Sequence, residues 1–162
     1  MVKEKFRVGF GYDVHRLVEG KPLILGGVTI ANDKGLFGYS DADVLIHAVI
    51  DAILGALGKG DIGQHFPDSD PAYQGADSLT LLKKIVGLAH DKGLTVNNLD
   101  ATIVAQKPKL SPYLNDMKER LSTVLQVDPD VLNVKATTTE RLGFCGREEG
   151  IAAYAVVSLG RK

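Results

Sequence analysis

Ser40-Asp41-Ala42-Asp43-Val44-Leu45-Ile46-His47-Ala48-Val49-Ile50-Asp51-Ala52-Ile53-Leu54-Gly55-Ala56-Leu57 is the stretch on which the fold turns. Val44, Leu45, Ile46, Val49, Ile50, Ile53 and Leu54 cover most of the circumference of one helix. A helix that is apolar all round is buried, so this one belongs at the centre of a domain. The Ser40 hydroxyl is expected to cap it, with Asp43 at the third helical position and the end near Leu57. Asp43, His47 and Asp51 recur every four residues and make one polar stripe on this apolar rod. Buried polar groups need partners, because leaving them unpaired costs several kcal/mol. Two readings of His47 stand side by side. It is a core histidine bonded to Asp43 or Asp51, or it is a metal ligand whose ring one of those aspartates orients.

Towards the N-terminus, Arg7 to Val14 reads as a first strand. Leu23 to Leu25 and Val28 to Ile30 flank Gly26-Gly27 and read as a tight hairpin. Gly9-Phe10-Gly11 is only a fragment of a dinucleotide-binding glycine motif, and no helix pattern follows it. Towards the C-terminus, residues 58–75 form a loop rich in Gly, Asp and Pro. Ser78 is expected to cap a second helix with Leu79, Leu82, Ile85, Val86 and Ala89 on one face, stopped by Gly93. Leu99 to Ala105 reads as a buried strand. Ser111-Pro112 opens a third helix, striped by Leu114, Met117, Leu121, Val124 and Leu125. Leu132 to Thr137 and Ile151 to Leu159 close the chain as strands. The last is apolar on both faces, which suits a central strand or a subunit interface. The expectation is an α+β (mixed α/β) fold: one domain, 1–162, with one mixed sheet of about five strands and three main helices.

The 162 residues carry a net charge of −1, so no global field draws the chain to nucleic acid or to acidic membranes. With 44% apolar and 24% charged residues, a folded core is expected rather than disorder. Cys145 is the only cysteine, which excludes an internal disulfide and suits a reducing compartment. Met1 to Phe6 has no apolar core, so no secretory signal is expected, and no apolar run approaches a membrane span.

Four places could carry chemistry. In Asp13-Val14-His15, residues two apart on an extended segment project to the same side. A carboxylate and an imidazole side by side make either a plain hydrogen-bonded pair or two ligands of a metal ion. With His47 as a third ligand, one coordination position stays open, as in catalytic zinc sites. Thr137-Thr138-Thr139-Glu140 offers hydroxyls and backbone N–H groups for phosphate, and a carboxylate for Mg²⁺; threonine is also common in strands. Arg147 in the following glycine-punctuated loop pairs either with phosphate or with solvent. The loop Asp61 to Pro71 is long for a compact domain, and Asp61 could accept ribose hydroxyls. Ala105-Gln106-Lys107-Pro108-Lys109 is a cationic rim or a solubilising turn.

In order and spacing, these segments resemble the 2-C-methyl-D-erythritol 2,4-cyclodiphosphate synthases nearly end to end. The shared motifs are Gly11-Tyr12-Asp13-Val14-His15, Ser40-Asp41-Ala42-Asp43 with His47, Asp61-Ile62-Gly63 and Phe66-Pro67-Asp68-Ser69-Asp70. They continue with Ala105-Gln106-Lys107-Pro108-Lys109, Lys135-Ala136-Thr137-Thr138-Thr139-Glu140, Gly143-Phe144 and Gly146-Arg147. The resemblance implies Zn²⁺ on Asp13, His15 and His47, and Mg²⁺ or Mn²⁺ on Glu140 and the substrate phosphates. It implies a cytidine diphosphate substrate, with ribose held at Asp61, Ile62 and Gly63. Phe66, Pro67, Asp68, Ser69 and Asp70 would line the methylerythritol pocket, and Ala105 through Leu110 and Ser111 would enclose cytosine. Ser40, Thr137, Thr138, Thr139, Phe144 and Arg147 would complete the substrate contacts. Thr138 and Tyr39 would serve catalysis. Tyr39 stands where the family usually has histidine, so it would keep a positioning role and lose a cationic one. A homotrimer around a central axis, active sites between subunits and a cytoplasmic location are further implications. A metal-dependent nucleotide phosphohydrolase and a non-catalytic oligomeric nucleotide-binding protein are the competing readings.

Overall fold

The computed structural model describes residues 6–161. The all-round apolar segment forms helix α1 (Val44–Leu57), in which every residue except Asp51 and Gly55 is buried. It starts three residues later than the capping pattern of Ser40 suggests. Asp43 is the true cap: its side chain accepts from the Ile46 N–H, while Ala42 turns the chain with a φ of 57°. The positive φ of Ala42 lies outside the right-handed helical region, so a helix running from Ser40 is excluded.

Strand β1 (Arg7–Glu19) lies along α1, and its glycines explain how closely. A Cβ at Gly9 would stand 1.8 Å from the Ala52 carbonyl, and one at Gly11 would stand 1.8 Å from that of Ala48. Gly9-Phe10-Gly11 therefore serves helix–strand contact. Each two-residue step along β1, about 6.6 Å, matches about four residues of helix. Continuing that register, Asp13 and His15 come level with the first turn of α1, where His47 sits.

The remaining elements are β2 (Leu23–Leu25), β3 (Val28–Ile30), β4 (Lys34–Phe37), α2 (Ile62–His65), α3 (Ser78–Asp91) and β5 (Leu94–Val104). Then follow α4 (Leu114–Leu125), β6 (Leu132–Thr137), α5 (Gly143–Gly146) and β7 (Gly150–Arg161). The main sheet has the order β4-β1-β7-β5-β6, with β5 and β6 parallel and the other pairs antiparallel. It is the expected mixed sheet with β7 at its centre, and α1, α3 and α4 are the three main helices. α1 packs on β1 and β7, α4 packs on β6, and α3 bridges α1 and α4.

Several boundaries differ from expectation. β1 runs on to Glu19 and β4 pairs with its end, an edge strand too short to announce itself. The β2–β3 hairpin is present but forms a separate two-stranded sheet. β5 begins at Leu94 and carries an irregularity between Val96 and Asn98. The cap of α3 is Asp77, which accepts from the Leu79 N–H; Ser78 is the first helical residue and its hydroxyl is used elsewhere. The long loop holds α2 and a 3-10 turn at Pro71–Tyr73.

Asp43 ties the hairpin to α1. Its carboxyl is fully buried and accepts from the N–H groups of Gly26 (2.9 Å), Gly27 (2.7 Å) and Ile46 (3.1 Å). Asp43→Ala would strand these donors, each worth about 1–3 kcal/mol when buried and unpaired. The expected loss is at least about 3 kcal/mol in urea denaturation; a change below about 1 kcal/mol would show that water replaces the carboxyl.

Candidate metal centre and active site

Asp13 Oδ2, His15 Nε2 and His47 Nδ1 converge on one point. Asp13 Oδ2 is 2.9 Å from His15 Nε2 and 3.0 Å from His47 Nδ1, and the two ring nitrogens are 3.1 Å apart. Among the described residues, these three form the group whose ligand atoms lie close enough together to hold one ion. Asp13 and His15 are half-buried, whereas His47 is 7% exposed.

The hydrogen-bond directions test whether the group fits a cation. His15 Nδ1 is 2.9 Å from the Phe37 carbonyl oxygen. A carbonyl only accepts, so Nδ1 carries the hydrogen. The Nε2 lone pair then faces a carboxylate oxygen. Two acceptors at that distance are reconciled only by a cation between them, either a proton or a metal ion. Burial alone would raise the Asp13 carboxyl, but hydrogen bonds from His15 and His47 outweigh it and bring it down to about 2. Burial likewise pulls His15 down, yet its bond to the Asp13 charge wins and holds it above its ordinary value. The donors are two nitrogens and one carboxylate oxygen with one side open, which fits a zinc-type ion that keeps an exchangeable position.

The expected orientation of His47 by Asp43 or Asp51 is not what the structure contains. Asp43 is engaged with the hairpin, and Asp51 accepts from the Ile62 N–H at 2.7 Å. The far nitrogen of His47, Nε2, instead lies 3.0 Å from Ser40 Oγ and 2.9 Å from Ser78 Oγ. In the sequence Ser78 reads only as a helix cap, and that position concealed this use.

A cavity of about 830 Å³ opens beside the three ligands. Asp13, His15 and His47 line it together with Tyr39, Ser40, Ile62, Gly63, Phe66 and Asp68. The Asp51 bond to Ile62 anchors α2 on α1 and so places Ile62 and Gly63 there. Asp61 caps α2, accepting from Gln64 N–H at 3.0 Å. The Tyr39 hydroxyl donates to the Asp70 carbonyl at 3.1 Å, tying the 66–70 loop to the strand end. Its oxygen can still accept, but its hydrogen is already given. Pro67, Ser69 and Asp70 belong to that loop and do not themselves line the cavity.

A second group of expected site residues gathers elsewhere on the same chain. Gln106 Oε1 accepts from the Arg141 N–H at 3.1 Å, and Ala105 N–H donates to the Thr137 carbonyl at 3.0 Å. These bonds join the 105–111 segment to the Thr137-Thr138-Thr139-Glu140 turn. The Thr138 hydroxyl oxygen accepts from Glu140 N–H, and Thr139 donates to the Leu142 carbonyl. Thr137, Thr138 and Glu140 are exposed, as are Lys107, Lys109 and Ser111, while Ala105 and Leu110 are buried. Glu140 is outside the Asp13–His15–His47 group. Phe144 and Arg147 line a different hollow with His15 and Arg16, and Arg147 pairs with Glu149 at 3.1 Å.

The sheet register measures the separation. Val14 pairs with Ala152, Ala152 with Val104, and Val104 with Thr137. Three interstrand steps place Thr137 about 14 Å from the Asp13–His15 strand within one chain. Both groups lie at the same end of the sheet, and Thr137 falls in the row of Val14, on the face away from Asp13 and His15.

A model of the YgbB family matches residues 6–160. The chain belongs to the YgbB family. A relative from Geotalea uraniireducens (strain Rf4) is named 2-C-methyl-D-erythritol 2,4-cyclodiphosphate synthase; identity is 64%, over 96% of this chain and 99% of the relative. Among solved structures, the YgbB fold seen here superposes on the bifunctional IspDF from Campylobacter jejuni with a TM-score of 0.94 and 43% identity. That match covers 98% of this chain and 43% of that longer one. The CDP complex of Plasmodium falciparum IspF aligns with a TM-score of 0.85 and 36% identity, over 98% of this chain and 97% of that one.

Proposed function

We propose that this YgbB-family chain is a 2-C-methyl-D-erythritol 2,4-cyclodiphosphate synthase of isoprenoid precursor biosynthesis. Its substrate would be 4-diphosphocytidyl-2-C-methyl-D-erythritol 2-phosphate, and its products the cyclic diphosphate and CMP. The observation that carries this reading is the convergence of Asp13, His15 and His47 at the mouth of a cavity whose other wall is the Ile62–Asp68 segment. Asp13, His15 and His47 would hold Zn²⁺, and Glu140 would hold Mg²⁺ or Mn²⁺. When bound, these ions supply Lewis acidity and neutralise phosphate charge.

The chain's own task is placement. In the reaction, an oxygen of the 2-phosphate bonds to the β-phosphorus while the bond from that phosphorus to the bridging oxygen breaks. The bridging oxygen leaves with its electron pair as part of CMP. A phosphate monoester with a second pKa of about 6 is largely dianionic at neutral pH, so no general base is required. Phe66 and Asp68 would hold the methylerythritol so that its 2-phosphate stands in line with the β-phosphorus. Asp61, Ile62 and Gly63 would hold the ribose, and residues 105–111 the cytosine. Ser40 and the Thr138 hydroxyl, with Arg147, would donate to phosphate oxygens, while Thr137 and Thr139, whose hydroxyls donate to the Thr138 and Leu142 carbonyls, would shape the turn that meets the substrate. Tyr39 would act through the loop it tethers.

We infer that one chain does not bring these groups together. The ligands of both metals would serve one diphosphate, and within one chain about 14 Å of sheet lies between the Asp13–His15 strand and Thr137, three residues before Glu140. A neighbouring copy resolves this. On the sheet face away from α1, Val8, Phe10, Tyr12, Val14, Tyr154 and Val156 are all at least 41% exposed. An apolar patch of that kind marks an interface. A homotrimer packed on this face, each site taking Asp13, His15 and His47 from one subunit and Thr138 and Glu140 from the next, satisfies both requirements. We further infer that residues 1–162 act as one domain and that the enzyme works in the cytoplasm. Among the described residues no helix is long and apolar enough to cross a membrane, and the free thiol of Cys145 suits a reducing compartment.

Product analysis by phosphorus NMR tests the reaction. The expected result is one cyclic diphosphate and one CMP per substrate consumed. A linear phosphate product, formed by water at the same phosphorus, would replace this reading with a phosphohydrolase.

A further inference from the structure

We propose that Asp41 and Ser78 are positioning residues that fix His47 as the Nε2–H tautomer, so that its Nδ1 lone pair is always presented to the metal. The inference rests on the metal reading above. It follows from the direction of each hydrogen bond around a buried serine.

Ser78 is fully buried at the start of α3. Its hydroxyl makes two contacts, a short one to Asp41 Oδ1 and one of 2.9 Å to His47 Nε2. Asp41 also accepts from the Ser78 N–H (2.9 Å) and the Asp43 N–H (3.1 Å), so its carboxylate is surrounded by donors. An ionised carboxylate only accepts. The single hydroxyl hydrogen of Ser78 therefore goes to Asp41. Ser78 has none left for His47 and must accept, which puts the hydrogen on His47 Nε2. Ser40 Oγ lies 3.0 Å from the same nitrogen and accepts the Ala42 N–H at 3.3 Å. With Nε2 as donor, the Ser40 hydrogen remains available to a ligand in the cavity that Ser40 lines.

The two ligand histidines are thus set by different means. His15 is held by a main-chain carbonyl, which no substitution removes. His47 is held by a carboxylate–hydroxyl relay, which two side chains supply. In free imidazole the hydrogen can sit on either nitrogen, and only one choice leaves Nδ1 able to bind a cation. Partners in this outer layer typically change metal affinity by about 10–100-fold.

Asp41→Asn gives the sharpest test. Both carboxylate oxygens accept a main-chain N–H, and a carboxamide has only one oxygen, so its NH2 turns either to Ser78 Oγ, reversing the relay, or to the Ser78 N–H. The ring is then no longer held in the Nε2–H form. Ser78→Ala removes the relay and lets both tautomers coexist. The measurements are long-range ¹H–¹⁵N NMR of ¹⁵N-histidine-labelled, metal-stripped full-length protein, and Zn²⁺ affinity by chelator competition. The parent is expected to show His47 as Nε2–H, both variants to show the Nδ1–H form populated beside it, and both to bind Zn²⁺ at least about tenfold more weakly. A parent ring with its hydrogen on Nδ1 overturns the inference, and needs no variant to fold. So do folded variants with Zn²⁺ affinity within about twofold of the parent. A parent that shows Nε2–H but binds no Zn²⁺ would instead overturn the metal reading, leaving the relay intact.

Discussion

Asp13→Asn lowers turnover by about 10³-fold or more, while the fold survives. The carboxamide is close in size to the carboxylate, and the side chain is partly solvent-exposed, so packing changes little. Charge changes entirely. The site loses its one anionic ligand beside two neutral imidazoles, and a divalent ion on that point is no longer neutralised. Stripping the parent with a strong chelator should reproduce the loss, and restoring Zn²⁺ should reverse it. Far-UV circular dichroism of the metal-free proteins should coincide. Full turnover in a sample shown metal-free by elemental analysis would sink the mechanism.

The same site predicts a pH dependence. Asp13, at about 2 in the metal-free protein, stays ionised throughout the neutral range. Burial pulls His15 down, but its bond to the Asp13 charge holds it above its ordinary value of 6.5, so a proton occupies its Nε2 as pH falls through that raised value. Metal must displace that proton. Zn²⁺ affinity is therefore expected to be flat at high pH and to fall about tenfold per pH unit once the pH drops below the raised His15 value. A chelator-competition series from pH 8 to pH 5.5 checks this; a flat line would mean that His15 does not bind the ion.

What could be read in advance followed from local pattern. α1 was legible because its apolar residues leave no exposed face, and β7 because both of its faces are apolar. Asp13 and His15 were legible as a pair because strand periodicity puts residues two apart on one side. The misplaced boundaries share a cause. Ser40 and Ser78 both look like helix caps, and an aspartate able to cap lies close by each time. Choosing between serine and aspartate needs the tertiary partner, since both serine hydroxyls are taken by His47, which comes from another part of the chain. That choice is a contact between segments 31 and 7 residues apart in sequence. The partner of Asp43 was hidden for the same reason: it lies in the hairpin, 16 and 17 residues upstream. The separation of Glu140 from the Asp13 group is the clearest case. Motif order set them in one site, and only the strand register shows that one chain holds Thr137, three residues before Glu140, about 14 Å from the Asp13–His15 strand.

That separation makes the strongest claim on assembly, and a mixing experiment decides it. Asp13→Asn damages the half-site beside α1, and Glu140→Gln damages the half-site after β6. Each alone is expected to be nearly inactive. In chains co-expressed in equal amounts and assembled at random, a shared site is intact when two conditions meet. The subunit giving Asp13 must be a Glu140→Gln chain, and its neighbour giving Glu140 must be an Asp13→Asn chain. Half the subunits meet each condition, so ~25% of sites, and of parent turnover, should return. If each site were built within one chain, every chain would carry a lesion and no site would recover. Replacing Phe10 on the exposed sheet face by aspartate should then abolish the recovery by preventing assembly, because a buried unpaired charge at an apolar interface costs several kcal/mol. Sedimentation of that variant as a monomer, with its Zn²⁺ ligands still able to bind, would separate the metal half-site from the trimer that completes it.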